Sequence, residues 1–147
     1  MAASAPPREE VYLDSNVVFY SASADREFGA PCSSILRDIQ EGRVRAVASA
    51  LVVSEVANAM FRTGRAAGME RVVAALTSLP IQFRDVTEPL ASEGVRLARE
   101  ASASPYDGIH AATMQALGLR IILSADRDFD RFRGLTRVDP RGYARLG

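Results

Sequence analysis

The sequence of 147 residues contains no lysine and no tryptophan, and it has only one cysteine and one histidine. Because Cys32 has no second cysteine to pair with, a disulfide within the chain is excluded, and a reducing cytoplasm is the expected compartment. Cys32 and His110 lie far apart and supply none of the usual zinc-ligand spacings. The glycine-rich phosphate loops GxxxxGK(S/T) and GxGxxG are also absent. Disulfide-rich, zinc-binding and P-loop proteins are therefore disfavoured classes.

Long hydrophobic runs are missing as well. The most apolar stretch, 46–60, is interrupted by serine, glutamate and asparagine, whereas crossing a bilayer takes about 20 predominantly apolar residues. Residues 1–10 have no apolar segment of the kind that a signal peptide carries. They are predicted to form a flexible lead-in to a single domain over 11–147. A hydrophobic content of 48% and a charged content of 24% are typical of such a globular domain.

Short β-branched or aromatic runs alternate along the chain with amphipathic helical patterns. The predicted strands cover 11–13, 45–48, 81–86, 120–123 and 136–139. Helices are predicted between them, and Ser49 is the predicted N-cap of the helix after the second strand. This alternation favours a mainly parallel sheet with helices on both faces. In such sheets, ligands bind at the carboxyl ends of the strands.

Four acidic residues fall near the predicted strand ends. Asp14 directly follows the first strand, Glu55 lies in the helix after the second, Asp107 opens the helix before the fourth, and Asp126 comes shortly after the fourth. Crowded carboxylates repel one another, which raises the pKa of some of them unless a cation neutralises their charge. Mg²⁺ and Mn²⁺ prefer oxygen ligands of this kind. The sequence therefore predicts a divalent cation site built from carboxylates.

Each of these residues also has a structural interpretation. Asp14 and Asp107 could cap the helices that begin beside them, which does not exclude metal binding. Glu55 could pair with Arg62 or Arg65. Because an unpaired carboxylate on an apolar helix face is costly, contact with metal or water is the favoured interpretation of Glu55.

Four blocks of sequence carry a resemblance to a known family. They are LDSNVVFY at 13–20, SEVANAM at 54–60, SPYDGIHAATM at 104–114 and SADRDF at 124–129. In this order and spacing they resemble PIN-domain ribonucleases, and most closely the VapC-type toxins of bacterial toxin–antitoxin pairs. The resemblance extends from Val11 to about Asp139.

This resemblance implies a three-layer α/β/α fold with a central five-stranded, mainly parallel sheet. It implies an endoribonuclease that depends on Mg²⁺ or Mn²⁺ and hydrolyses the phosphodiester bonds of RNA. It also implies two protein partners, namely a cognate antitoxin and a second copy of the chain in a homodimer. Helix patterning places Val52, Val53, Met60 and Phe61 in the core, whereas the resemblance implies that they form the dimer face.

The catalytic and metal-binding residues that the resemblance implies are all acidic. Asp14 and Asp107 correspond to the central metal ligands, Glu55 to an acidic partner, and Asp126 to the fourth acidic position. Asp128 is the alternative for that fourth position. Asn16 and Ser124 match small polar positions near the same cleft.

Several other side chains have two interpretations. His110, one helical turn after Asp107, could hydrogen-bond a carboxylate or pack in the core. Three aromatic residues, Tyr106, Phe129 and Phe132, could stack on RNA bases or pack in the core. Core packing is the favoured interpretation. Three arginines, Arg127, Arg131 and Arg133, could bind phosphate or simply be exposed to solvent.

Two other classes of function compete with the nuclease. The first is a catalytically silent PIN-like module whose acidic cleft binds a protein partner, for example through an arginine. The second is an acidic α/β phosphotransfer domain, such as a haloacid dehalogenase or a response-regulator receiver. Both phosphotransfer families require a lysine near the site, and the dehalogenase also requires aspartate where this chain has Asn16. The absence of lysine therefore disfavours the second class.

Overall fold

The computed structural model describes residues 9–145. Its strands are β1 (Glu10–Leu13), β2 (Arg45–Ser49), β3 (Ile81–Arg84), β4 (Ile121–Leu123) and β5 (Thr136–Val138). They form one sheet in the order β3-β2-β1-β4-β5, and every neighbouring pair runs parallel. The predicted five-stranded parallel sheet is therefore confirmed, with β1 at its centre.

Helices connect the strands. The α-helices are α1 (Ser15–Ala22), α2 (Gly29–Gln40), α3 (Leu51–Arg62), α4 (Met69–Ser78), α5 (Glu88–Ala101) and α6 (Pro105–Leu117). Short 3₁₀ helices cover Ala66–Gly68, Arg127–Arg131 and Pro140–Arg145. Within residues 9–145, no helix is long and apolar enough to cross a membrane.

Successive side chains of β1 enter two different cores. Val11 and Leu13 pack on one face of the sheet with residues of α1 to α4. Tyr12 packs on the other face with residues of α5 and α6. This division follows from the two-residue period of side chains along a strand. The chain therefore has the predicted three layers, with the sheet between the two groups of helices.

Each of the five predicted strands differs from the observed one at one end, by one or two residues. β3 ends at Arg84 rather than at residue 86. The prediction that Ser49 caps α3 is wrong, because β2 continues through Ser49, which is buried and pairs with Arg84 of β3. The N-cap position is instead Ala50, which has no polar side chain. Of the predicted lead-in, residues 1–8 lie outside the described residues and Glu10 belongs to β1.

Of the seven apolar residues with two interpretations, four are buried in the core, and Val53 is partly buried and packs against the core that contains Val52. The buried ones are Val52, Met60, Phe129 and Phe132. Stacking of either phenylalanine on RNA is therefore excluded in this conformation. Phe61 and Tyr106 differ, since 66% of Phe61 and 59% of Tyr106 are exposed.

Helices α5 and α6 cross in direct backbone contact. A Cβ atom at Gly108 would lie 1.9 Å from the carbonyl oxygen of Gly94, and one at Gly94 would lie 2.6 Å from Cα of Ile109. Both distances are far below ordinary van der Waals contact, so only glycine fits at these two positions. Because Asp107 directly precedes Gly108, the crossing fixes where Asp107 stands relative to the sheet.

Replacing Gly108 with alanine is expected to lower the free energy of unfolding by about 1–3 kcal/mol, because the helices must separate to admit a methyl group. Urea unfolding followed by circular dichroism measures the loss. Gly68→Ala is the matched control, since a Cβ there meets nothing closer than the end of the Met60 side chain at 3.4 Å. Equal losses in the two variants would contradict the close-contact account.

Candidate active site

An open cleft of about 480 Å³ lies at the carboxyl ends of β1 and β4. The residues that line it are Asp14, Ser15, Asn16, Tyr20, Glu55, Asp107, Ala125, Asp126 and Arg127. All four acidic residues that the sequence singled out are in this set. The topology accounts for their meeting, because the ends of parallel strands share one edge of the sheet and α3 and α6 reach that edge from opposite faces.

Asp14 is buried at the end of the central strand. Its Oδ1 accepts a hydrogen bond from the backbone N–H of Ser15 at 2.7 Å, so it caps α1. Its Oδ2 accepts from Nδ2 of Asn16 at 2.9 Å and from the hydroxyl of Ser124 at 2.6 Å. Burial raises the pKa of Asp14, although the charge of His110 and the Ser124 hydrogen bond partly offset the effect. Asp14 therefore caps a helix and also offers carboxylate oxygens at the cleft.

Asn16 and Ser124 join the end of β1 to the loop after β4. The Asn16 amide donates to Ser124 Oγ at 3.0 Å and accepts from the backbone N–H of Ala125 at 3.2 Å. Ser124 Oγ also accepts from the backbone N–H of Asp126 at 3.0 Å. These contacts hold the Asp126 loop beside Asp14, as expected for small polar residues near the cleft.

Glu55 reaches the cleft from α3. Within residues 9–145, its ion-pair partner is His110, with 2.5 Å between Glu55 Oε1 and His110 Nε2, rather than Arg62 or Arg65. The side chain of His110 is fully buried. Burial disfavours the imidazolium, but the Glu55 hydrogen bond and the charge of Asp14 outweigh it and raise the pKa of His110. The possibility that His110 hydrogen-bonds a carboxylate is therefore confirmed.

Asp107 stands in the first turn of α6, where Ser104 Oγ accepts the hydrogen bond of its backbone N–H. Burial and the nearby charge of Asp126 raise the pKa of Asp107 to about 6. Asp126 accepts the backbone N–H of Asp128 at 2.9 Å and lines the cleft. Asp128 forms an ion pair with Arg131 at 3.3 Å. Asp126 therefore belongs to the lining of the cleft, whereas Asp128 does not.

Potential metal ligands form two groups in the described part of the chain. In one group, single ligand atoms of Asp14, Glu55 and His110 lie within 4.8 Å of one another. The other group has the same property and contains Asp107, Asp126 and Asp128. Carboxylate oxygens dominate both groups, which suits Mg²⁺ or Mn²⁺ better than softer metals. Burial is the main cause of the raised pKa of Asp14 and of Asp107, and a divalent cation would offset this cost of the ionised carboxylates.

Comparison with known families gives a match to the PIN domain over residues 11–135. The chain belongs to the PIN domain family. The match covers β1 from Val11 on, all of β2, β3 and β4, and the four acidic residues of the cleft, and it ends one residue before β5. The predicted family resemblance is confirmed.

Solved PIN-domain structures share the fold at low sequence identity. VapC20 of Mycobacterium tuberculosis, a toxin that cleaves the sarcin–ricin loop, has a TM-score of 0.70 and 17% identity over 85% of this chain and 98% of its own. A toxin–antitoxin complex from Klebsiella pneumoniae has a TM-score of 0.63 and 20% identity over 88% of this chain and 97% of the matched chain. VapBC2 of Rickettsia felis, bound to a promoter DNA fragment, has a TM-score of 0.67 and 13% identity over 88% and 97%. Comparison with curated proteins finds no match.

Tyr12 lies near this PIN site, and sequence reasoning did not single it out. Its hydroxyl lies 2.7 Å from Nδ1 of His110, whose other ring nitrogen contacts Glu55. The signal in the sequence is weak, because a tyrosine in a buried strand next to Asp14 has no distinctive spacing to His110. The only histidine of the chain, three residues after Asp107, was the stronger indication of a polar network.

Metal-free Asp107→Asn is expected to be more stable than the metal-free wild type at neutral pH, because it removes a carboxylate whose charge is disfavoured by burial and by Asp126. The folded protein has a pKa of about 6 at this group, against 3.8 for an ordinary aspartate. The advantage of the variant is therefore full above pH 6 and shrinks as the pH falls towards 3.8, since the folded wild type then binds the proton itself.

Thermal unfolding midpoints in EDTA, measured across this pH window, test the expectation. Asp85→Asn is the matched control, because Asp85 is an exposed aspartate away from the cleft. An advantage of Asp107→Asn that stayed constant down to pH 4, or no advantage at pH 7, would contradict the assigned cause.

Proposed function

We propose that this PIN domain is an endoribonuclease that hydrolyses RNA phosphodiester bonds with a bound Mg²⁺ or Mn²⁺ ion. The observation that carries the proposal is the meeting of Asp14, Glu55, Asp107 and Asp126 in one cleft at the carboxyl edge of the sheet. A fold alone does not establish an activity. A cleft lined by four carboxylates, two of them with raised pKa values, is a chemical reason to expect a cation there.

Asp14 and Asp107 would be the central ligands of the cation, with Glu55 and Asp126 beside them. When bound, a divalent cation would lower the pKa of a coordinated water and stabilise the charge that develops on the phosphate. The hydrogen bonds of Asn16 and Ser124 keep the Asp14 carboxylate in one orientation. Such fixed ligand geometry lowers the cost of reorganisation during the reaction.

Arg127 is the cationic residue of the cleft lining, and it is exposed. Its guanidinium is suited to a phosphate of the bound RNA strand, since arginine donates in a planar fork. The formal net charge of the chain is +0, so general attraction to nucleic acid is weak. Substrate binding would therefore depend on the cation and on Arg127 rather than on a broad basic surface.

The proposed partners are RNA, a cognate antitoxin protein and a second copy of the chain. The fold is similar to that of chains solved in toxin–antitoxin complexes, which supports the proposal of an antitoxin partner. Exposed Phe61 on α3 is an apolar group that a protein partner would cover. Val52 and Met60 are excluded from that surface because they are buried. A cytoplasmic location fits the single, unpaired cysteine.

The direct test is cleavage of a panel of structured RNAs, including tRNA, by the purified chain with Mg²⁺, Mn²⁺ or EDTA. Asp14→Asn is expected to lower the cleavage rate by more than about 100-fold, since loss of a residue that merely supports a metal ligand already costs 10–100-fold. The variant should still fold, because asparagine is as good an N-cap as aspartate. Asp85→Asn, at an exposed site outside the cleft, should cleave like the wild type.

Site-specific cleavage that needs the cation and is lost in Asp14→Asn would support the nuclease. Cleavage that persists in EDTA or in Asp14→Asn would contradict the proposed site. If the folded wild type binds Mn²⁺ but cleaves no RNA in the panel, the alternative of a catalytically silent binding module gains support.

A further inference from the structure

A buried chain of hydrogen bonds runs from the end of β2 to the cleft. The backbone N–H of Ser49 donates to the hydroxyl of Tyr12 at 3.1 Å. The same hydroxyl lies 2.7 Å from Nδ1 of His110, and Nε2 of His110 lies 2.5 Å from Oε1 of Glu55. Tyr12 of β1 thus links β2 to His110 of α6, and His110 in turn contacts Glu55 of α3.

The donors and acceptors of this chain determine where one proton sits. The Ser49 amide can only donate, and the Glu55 carboxylate can only accept. Neutral His110 that accepts the Tyr12 hydroxyl at Nδ1 must carry its proton on Nε2, and the imidazolium carries a proton on both nitrogens. In either state, Nε2–H donates to Glu55, so the nitrogen that faces the carboxylates has no free lone pair.

The surroundings of His110 prevent it from turning. Its ring makes an edge contact with Tyr12, with 5.5 Å between ring centroids, and its centroid lies 6.3 Å from that of Phe129. Tyr12 itself is completely buried in the central strand. Glu55 differs, because 23% of its side chain is exposed and a free glutamate has several rotamers to lose on ordering. The hydrogen bond from His110 supplies that ordering.

On the basis of the proposed metal site, we propose that His110 is a positioning residue, held by Tyr12, which fixes the Glu55 carboxylate at the cleft and is not itself a ligand. Among the described residues, Glu55 Oε2 makes no hydrogen bond. One oxygen of Glu55 is therefore anchored and the other remains available to a hard cation. Residues that orient a metal ligand through a hydrogen bond commonly change the metal affinity by about 10–100-fold.

The obvious competing role for His110 is direct ligation, since His110 belongs to a group of possible ligand residues with Asp14 and Glu55. Direct ligation requires Nε2 to lose its proton and Glu55 to give up its shortest contact. It would also leave the Glu55 carboxylate without the hydrogen-bond donor that it has in this structure. Positioning keeps every hydrogen bond of the chain intact.

The single histidine makes the first test unambiguous, because the ring nitrogens of a tag-free, ¹⁵N-labelled sample give the signals of His110 alone. The Nε2–H resonance is expected to be present and slow to exchange, and to remain at saturating Mg²⁺. Its disappearance on addition of Mg²⁺, while Mg²⁺ binds, would show ligation by Nε2 and overturn the proposal. So would a metal-free spectrum with no proton on Nε2.

The second test is Mn²⁺ affinity by calorimetry in the wild type, Tyr12→Phe, His110→Leu and His110→Gln. Tyr12→Phe is expected to weaken binding about 10-fold, although Tyr12 touches no proposed ligand. His110→Gln should recover part of the affinity that His110→Leu loses, because its amide can still donate to Glu55. Ile122→Val is the control: Ile122 is buried, pairs with Tyr12 in the sheet and lies outside the hydrogen-bond chain, so its affinity should stay at the wild-type value.

Equal Mn²⁺ affinity in the wild type, Tyr12→Phe and His110→Leu would overturn the positioning role and leave the metal site standing. Equal loss in Ile122→Val and Tyr12→Phe would also overturn it, since general loosening of the core would then explain both. A wild type that binds no Mn²⁺ or Mg²⁺ would instead overturn the proposed function, and the positioning role with it.

Discussion

A carboxylate buried at the end of the central strand is the constraint around which the cleft is organised. Removing a charge from water is costly unless hydrogen bonds or an opposite charge compensate for it. Asp14 receives hydrogen bonds from Ser15, Asn16 and Ser124, which start α1 and tie down the loop after β4. The same group therefore caps a helix, closes the edge of the sheet and leaves negative charge facing the cleft.

The opposite wall of the cleft depends on how closely two helices approach. Gly94 and Gly108 allow the backbones of α5 and α6 to touch, and α6 then presents Asp107 to the cleft and His110 to the core. Two side chains one turn apart thus serve different purposes: one carries charge at the surface of the cleft, and the other supports Glu55 from behind. A bulkier contact between the helices would displace both together.

Local patterns made the fold and the acidic residues predictable. Strand alternation and the position of Asp14 after a buried strand depend only on neighbours in sequence, and the parallel sheet was predicted correctly from them. Contacts between distant elements were harder to predict. Ser49 was expected to cap α3 but continues β2, because its pairing with Arg84 depends on β3. The link between Tyr12 and His110 likewise depends on how α6 lies against β1, which no local pattern encodes.

The central claim is that the acidic cleft holds a divalent cation. Anomalous diffraction from crystals grown with Mn²⁺ tests it most directly, because the manganese signal locates the ion without reference to activity. The account predicts a peak in the cleft in contact with carboxylate oxygens of Asp14 and Asp107. A cleft without such a peak, in crystals in which manganese is seen at another position, would contradict it.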